Sequence, residues 1–343
     1  MATRPGISKR HPVAAEILRR WRELTGGAAV RDEQRRTLVA CSGGPDSVAL
    51  AATLAGAGGA DCIAHIIHDL RPPAETRADR DIAADVARSL GLPFVESAVH
   101  VASLPGNPEN NARLARYAAL RDLAASRGVR VIATAHHADD QLETLLMRIG
   151  RGTSPAGFVG IASSRVLGHA RLIRPCLSVT RDDLRDIVRE VGLPTATDAS
   201  NADLRLARNA VRARAAAALR EVFPHAATHA SKLAEQMRAV GSLLKTSSLA
   251  LLANARRPDG TLDRSPLRDA PHLLRTAALR AEIALATGDR RLDDLHARAL
   301  TPLSRAIADH DGSDRRFSIA GAHILLTADH LDVQKGGVPE SGL

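Results

Sequence analysis

The sequence predicts an α/β protein, a parallel sheet with helices on both faces, followed by a smaller and mainly helical domain that ends in a β-hairpin. Three observations carry this prediction. Between residues 37 and 151, short β-prone runs alternate with helix-length segments, the pattern of successive βα units whose strands pair in parallel. The first strand-like run leads into CSGGPDS at 41–47 and then into apolar VALAATLAGA, which reads as a strand, a tight turn and a helix start. After Pro224 the texture changes to Ala-, Leu- and Arg-rich helical sequence.

Taken in order, residues 1–36 read as a basic, amphipathic helical lead-in. Val13, Ile17, Leu18, Trp21 and Leu24 recur at helical spacing, as in a helix packed on the surface of the next domain. The domain at 37–224 then opens with TLVACS as strand, SVALAATLAGAG as helix and DCIAHIIH as strand. AETRADRDIAADVARSLG follows as helix, LPFVESAVH as strand and NPENNARLARYAALRDLAASRG as helix. VRVIATAHH as strand and ADDQLETLLMRIGRG as helix complete the alternation. Open α/β sheets bind ligands beyond the carboxyl ends of their strands at the switch point, a rule that sets Ser42, His68 and His136 along one rim. A mainly helical domain is expected at 225–334, with FSIAGAHILLTADHLDVQ as its terminal hairpin, and 335–343 as a disordered tail.

With 343 residues the chain is long enough for two domains. Its net charge is +9 and its pI about 10.5, which suits a polyanionic partner, because each neutralised phosphate releases counterions. The positive charge is almost all arginine, with lysine only at Lys9, Lys232, Lys245 and Lys335. Cys41, Cys62 and Cys176 are far apart. Without a CxxC pair or a disulfide framework they suit a reducing cytoplasm and exclude a cysteine-based zinc site. The basic start has no long apolar core, and no run approaches ~18 apolar residues, so neither export nor membrane insertion is expected.

Four segments carry chemistry. In CSGGPDS, Gly43 and Gly44 let an anion approach the main chain, and the following helix start supplies unpaired N–H donors and partial positive charge. No lysine follows the glycines, which disfavours the Lys-dependent phosphoryl-transfer loop. In TAHHADDQLETL, His136 and His137 stand at a strand mouth, and Asp139, Asp140 and Glu143 fall in the first helical turns. Such carboxylates can converge on one ligand, a hard cation or an ammonium group. In ENNARLARYAAL, Arg113 and Tyr117 share a helix face beside Arg116, and arginine can bind phosphate in a forked geometry. In TDASNADLRLARNAVR, Arg205, Arg208, Asn209 and Arg212 recur at i, i+3, i+4 and i+7, a polar stripe suited to a polyanion or to closing over a nucleotide.

Together these segments resemble the tRNA(Ile)-lysidine synthetase family of N-type ATP pyrophosphatases. CSGGPDS resembles that family's pyrophosphate loop, HIIHDLR its HxxHxLR segment and ENNARLARY its arginine helix. TAHHADDQLETLLMRIGRG and RPCLSVTRDDLRDIVREVGLPTATDASNADLRLARNAVR resemble its two longest signatures. The likeness covers about residues 37–224 and continues more weakly to the terminal hairpin. It implies a Rossmann-like PP-loop catalytic domain, a cytoplasmic ligase using ATP with Mg²⁺, and L-lysine and CAU-anticodon tRNA(Ile) as partners. Carried onto this chain, Ser42, Gly43, Gly44, Pro45, Asp46 and Ser47 hold ATP, Asp46 also placing Mg²⁺. His137, Asp139, Asp140 and Glu143 orient lysine or metal. Asp46, Arg113, Asp140 and Glu143 act in catalysis, while Arg116, Arg205, Arg208, Asn209 and Arg212 meet phosphate and tRNA.

Two departures stand out: Ile67 where the family often has Asn, and Asp69 in place of Gly. With 2% aromatic residues, the candidates for stacking on bases are Tyr117, Phe158 and Trp21. The rival readings are a thiolase-like tRNA-modifying enzyme, which needs placed cysteines, and a non-catalytic tRNA-binding module. The sequence leaves the oligomeric state open, a homodimer included.

Overall fold

The computed structural model describes residues 7, 11–152, 158–196, 206–288, 297–309 and 312–336. The chain divides into two compact units, one built from residues up to Met147 with Gly160–Lys232, the other from Arg148–Val159 with the chain from Leu233 onward.

The first unit begins with α1 (Pro12–Leu24). There follow β1 (Thr37–Ala40), α2 (Pro45–Ala57), β2 (Ala60–His68), α3 (Pro73–Ser89), β3 (Phe94–Val99) and α4 (Pro108–Ser126). Next come β4 (Val131–Ala133), α5 (Ala138–Arg151), β5 (Ser164–Leu167), β6 (Ala170–Ile173) and α6 (Arg181–Val191). One continuous helical stretch closes it: α7 (Ala207–Ala210), a π-helical segment Val211–Ala216 and α8 (Ala217–Val222).

The sheet order is β3-β2-β1-β4-β6-β5. All its pairings are parallel except β5 with β6, so an antiparallel edge hairpin, unread in the sequence, closes the predicted parallel sheet. Its turn is Gly168-His169, with Gly168 at φ 62. A glycine with positive φ at the first central position is the requirement of a two-residue II′ turn. The order reverses beside β1, and this places the switch-point crevice at the carboxyl ends of β1 and β4.

Helix α2 is apolar on nearly every side because it is buried on nearly every side. Val48, Leu50 and Leu54 join Val39, Ile63 and Ile173 in the main core. The lead-in helix enters the same core rather than lying on its surface: Ile17, Leu18 and Trp21 are wholly buried. Trp21 Nε1 donates to Thr37 Oγ1 at 3.0 Å. A Cβ at Gly59 would meet the Trp21 ring at 2.1 Å, so the absent side chain at 59 makes room for the indole.

The second unit takes up most of α9 (Ala226–Ala255), then β7 (Leu262–Asp263), α10 (Arg264–Asp269), α11 (His272–Thr287) and α12 (Ala297–Ala308). It ends in β8 (Arg315–Ile319), β9 (Ala322–Leu326) and β10 (His330–Lys335). Leu252, Leu279, Ile283, Leu303, Ile307 and Ile324 share its core. The predicted hairpin is present and enlarged into an antiparallel sheet ordered β7-β10-β9-β8. Ala320 and Gly321, at φ 50 and 79, join β8 to β9 as the two positive-φ residues of a type I′ turn. Strand β10 runs to Lys335, and Gly336 N donates to Gly321 O at 2.8 Å, so residues 335 and 336 of the expected tail belong to the sheet and its edge. Residues 337–343 lie outside the described residues.

Candidate active site

The turn after β1 is drawn together by one hydroxyl. Ser47 Oγ donates to Gly44 O at 2.8 Å, accepts from Ser42 N at 3.1 Å and lies 3.3 Å from Ser42 Oγ. Of the two glycines only Gly43 uses the freedom expected of both: its φ is 86, and an added Cβ would stand 2.9 Å from the Asp79 carbonyl oxygen. Gly44 is the extended N-cap of α2, and Pro45, without an N–H, sits in its first turn. The loop thus leaves the first donors of a buried helix facing the crevice.

A cavity of about 410 Å³ opens there. The three residues expected on one rim, Ser42, His68 and His136, all line it, with Asp46, Ser47, Arg116, Tyr117, Asp140, Arg208, Asn209 and Arg212. His65 and Ile66 of the HIIHDLR segment, which were given no site role in the sequence, form the rest of the wall with Thr134 and Leu120. Ile67 lines it too. Asp69 turns away and accepts from the N–H groups of Val101 (2.8 Å) and Ala102 (3.0 Å), so this departure braces the loop after β3.

The carboxylates of α5 do not gather round a single point. Positions 139 and 143 are separated by about 40° around a helix, whereas 140 is rotated 60–100° from both. Asp140 faces the cavity. Its Oδ2 accepts from His137 N at 3.1 Å and its Oδ1 from Arg208 Nη2 at 2.7 Å. Glu143, with a side chain 1% exposed, accepts from Arg212 Nε (2.6 Å), Arg208 Nε (2.9 Å) and Arg181 Nη2 (3.4 Å). Asp139 accepts from Arg181 N at 2.8 Å and pairs with Arg220 at 2.9 Å. Neither Glu143 nor Asp139 lines the cavity. Their charges are met by guanidinium groups that they hold in place.

His137 is buried behind this wall, with Nε2 3.4 Å from Asp46 Oδ2 and 3.5 Å from Asp140 Oδ2. Burial alone lowers an imidazole pKa, but the hydrogen bond to Asp46 and the charge of Asp140 outweigh it and raise that of His137. Asp140 shows the converse: burial pushes upward, yet His137 and Arg208 draw its pKa down to about 2. In His136 burial dominates, and the pKa falls to about 3 against the pull of Asp140. The site therefore holds an ionised carboxylate beside one imidazole stabilised as a cation and one kept neutral.

Arg113, expected in catalysis, lies outside the cavity wall: it is exposed and donates to Asn110 Oδ1 at 3.1 Å. Arg205 lies outside the described residues. Of the stacking candidates Trp21 is sealed in the core and Phe158 is half-buried, which leaves Tyr117 at the cavity. Arg181, inside the second long signature but given no role there, and Arg220, outside every motif, reach the site from 38 and 81 residues beyond the carboxylates they meet, a separation at which helical spacing says nothing.

All three cysteines are buried, and burial raises the pKa of each thiol, Cys62 to about 12. Among the described residues no three His, Cys, Asp or Glu side chains converge as a metal-ligand group. These facts give a thiolase reading no support. One atom does fit a hard cation: Asp46 Oδ1 is buried without a hydrogen-bond partner, and Mg²⁺ is commonly held by one or two carboxylates with substrate phosphates and water.

A family model described as PP-loop domain matches residues 14–219. A tRNA(Ile)-lysidine synthase of Salinispora tropica is 38% identical over 231 residues, covering 66% of this chain and 69% of that protein. One from Methylobacterium nodulans is 34% identical over 322 residues, covering 86% and 89%. One from Ruegeria pomeroyi is 42% identical over 188 residues, covering 54% and 44%. Among solved structures, a U34-tRNA thiolase of Methanococcus maripaludis with its 4Fe–4S cluster superposes with a TM-score of 0.53 at 17% identity, covering 66% of this chain and 78% of that one. That likeness is one of fold.

Proposed function

We infer, because this chain belongs to the tRNA(Ile)-lysidine synthase family, that it ligates L-lysine to C2 of the wobble cytidine of CAU-anticodon tRNA(Ile) at the expense of ATP. The modified anticodon then reads AUA in place of AUG. The observation that carries the reading is the shared cavity, in which the Ser42–Ser47 loop, Asp46, Asp140, Arg208 and Arg212 meet. With no helix long and apolar enough to cross a membrane among the described residues, the cytoplasm, where tRNA and ATP are, is the compartment that this chemistry implies.

In the first step the cytidine 2-oxo group attacks the α-phosphorus of ATP, the bond to the β-phosphate bridging oxygen breaks, and pyrophosphate leaves. In the second step the lysine ε-amine adds to C2, the C2–O bond breaks, and AMP departs with that oxygen while the amine gives up a proton. Ser42, Gly43, Gly44 and Ser47 present main-chain and hydroxyl donors to the leaving pyrophosphate. Arg116, Arg208 and Arg212 meet the negative charge that develops on the phosphates. Asp46 would hold Mg²⁺, which when bound supplies charge neutralisation at the phosphates.

Asp140 suits the lysine ammonium as an ion partner. With a pKa of about 2 it is too weak a base to take a proton near neutral pH. Glu143 and Asp139 act at one remove, by setting the arginines. Pyrophosphate release from ATP with CAU-anticodon tRNA(Ile), compared with a GAU-anticodon transcript, tests the assignment. Release with CAU alone is expected. Equal release with both would remove the specificity, and none with either would remove the adenylation step.

A further inference from the structure

Four arginines surround Tyr117, of which only Arg116 lines the nucleotide cavity. Arg113 and Arg116 precede it on α4, Arg165 comes from the edge strand β5 and Arg174 directly follows β6. The Arg165 guanidinium lies over the Tyr117 ring at 4.1 Å from its centroid. Arg174, 6% exposed, donates to Tyr117 Oη at 3.4 Å and to Ala162 O at 2.6 Å. None of the four is paired with a carboxylate among the described residues, and the Nε atoms of both Arg165 and Arg174 are buried without a partner. Removal from water lowers the pKa of Arg165, against an upward pull from Tyr117, and Arg174 and Arg113 lower it further. A buried cation among like charges is costly unless an anion completes the set.

The anion of this set is not the ATP pyrophosphate. That group belongs to the Ser42–Ser47 loop, and Arg113, Arg165 and Arg174 do not line the cavity that contains the loop. Tyr117 and Arg116 form the wall between the two places, lining the cavity on one side. A ligand that spans both must put one residue into the cavity and a neighbouring charge outside it, as a polynucleotide strand does. Tyr117 is almost wholly enclosed, so the flat cationic face of Arg165 stands where an aromatic platform is missing, and bases stack on guanidinium planes as well as on rings.

We propose that Arg113, Arg165 and Arg174 around Tyr117 form a second anion site that takes a phosphodiester of the substrate RNA next to the reacting nucleotide, with Arg165 as its stacking face. The proposal rests on the RNA substrate inferred above. The test is binding of the full chain to CAU-anticodon tRNA(Ile) across a salt series, for the parent and for Arg165→Ala and Arg165→Lys, with KM for ATP measured alongside and thermal midpoints as the folding control.

Arg165→Ala should weaken tRNA binding about tenfold and make the slope of log K against log salt shallower by about 0.7–0.9, leaving KM for ATP within about twofold. Arg165→Lys should keep the slope and lose part of the affinity. It also stands in for the alanine variant should that one not fold. Unchanged tRNA affinity and slope in a folded variant would overturn the proposal, as would a rise in KM for ATP with tRNA binding intact. If the parent binds tRNA but releases no pyrophosphate with it, the inferred reaction fails, and the anion site is still decided by the binding series.

Discussion

Glu143→Gln is the substitution that most sharply separates a carboxylate that binds substrate from one that positions arginines. The change keeps shape and removes one charge from a side chain that is 1% exposed and receives Arg212 at 2.6 Å, Arg208 at 2.9 Å and Arg181 at 3.4 Å. The amide oxygen can still accept one guanidinium, but the new NH₂ group faces a donor. Two charge-assisted bonds at ~1.5–3 kcal/mol each are weakened or lost. The three arginine side chains are 19–38% exposed and regain water, which keeps the cost at the lower end, about 3 kcal/mol. For a unit of this size each kcal/mol moves the midpoint by ~2–4 °C, so thermal unfolding of the full chain should show the first unit melting ~6–12 °C lower. In the pyrophosphate assay KM for ATP should rise, because Arg208 and Arg212 lose their anchor, with KM for lysine little changed. A midpoint within about 2 °C of the parent, or a defect confined to KM for lysine, would refute the reasoning.

The remaining predictions concern pH and the loop. The pKa of Asp140 is drawn from the ordinary carboxylate value down to about 2 in the fold, so its contribution of about 2 kcal/mol is present above pH ~4 and is lost as pH falls toward 2. Asp140→Asn should flatten this acid limb of the stability profile, and an unaltered limb would assign acid loss to other groups. His137 has a raised pKa, so its stabilisation is complete below pH ~6.5 and disappears as pH rises through the folded value. His137→Asn should remove that alkaline decline and, because the His137 charge helps to hold the Asp140 pKa down, should also shrink the acid limb without abolishing it. Gly43→Ala forces a Cβ to 2.9 Å from the Asp79 carbonyl oxygen at φ 86 and should cost ~2–4 kcal/mol with loss of ATP binding; ATP affinity equal to the parent's would show that the loop can shift without consequence.

The parts legible in sequence were those set by short-range rules. The strand, turn and helix around Ser42–Ser47 follow from β-prone residues, two glycines and Pro45 in the first turn of α2, and the alternation of strands and helices orders the rim. The edge hairpin β5–β6 was not read, because Arg165 and Arg171 interrupt its apolar pattern, although Gly168 marks its turn. The division of labour among Asp139, Asp140 and Glu143 depends on arginines 38 to 81 residues further along. Helix geometry separates 140 from the other two, but which side faces the cavity is decided by α6 and by the helical stretch after Leu206. The burial of α1 likewise depends on Gly59, far along the chain, admitting the Trp21 ring.

The central claim is that one cavity carries out both adenylation and lysine transfer, and labelled lysine tests it most directly. Incubated with ATP, Mg²⁺, radiolabelled L-lysine and CAU-anticodon tRNA(Ile), the parent should attach label covalently to the tRNA, with one AMP and one pyrophosphate formed per lysine. Asp46→Ala should attach none while still binding tRNA. Label attached with ADP as the nucleotide product, or tRNA left unlabelled by a chain that releases pyrophosphate at the parent rate in the presence of lysine, would contradict the account.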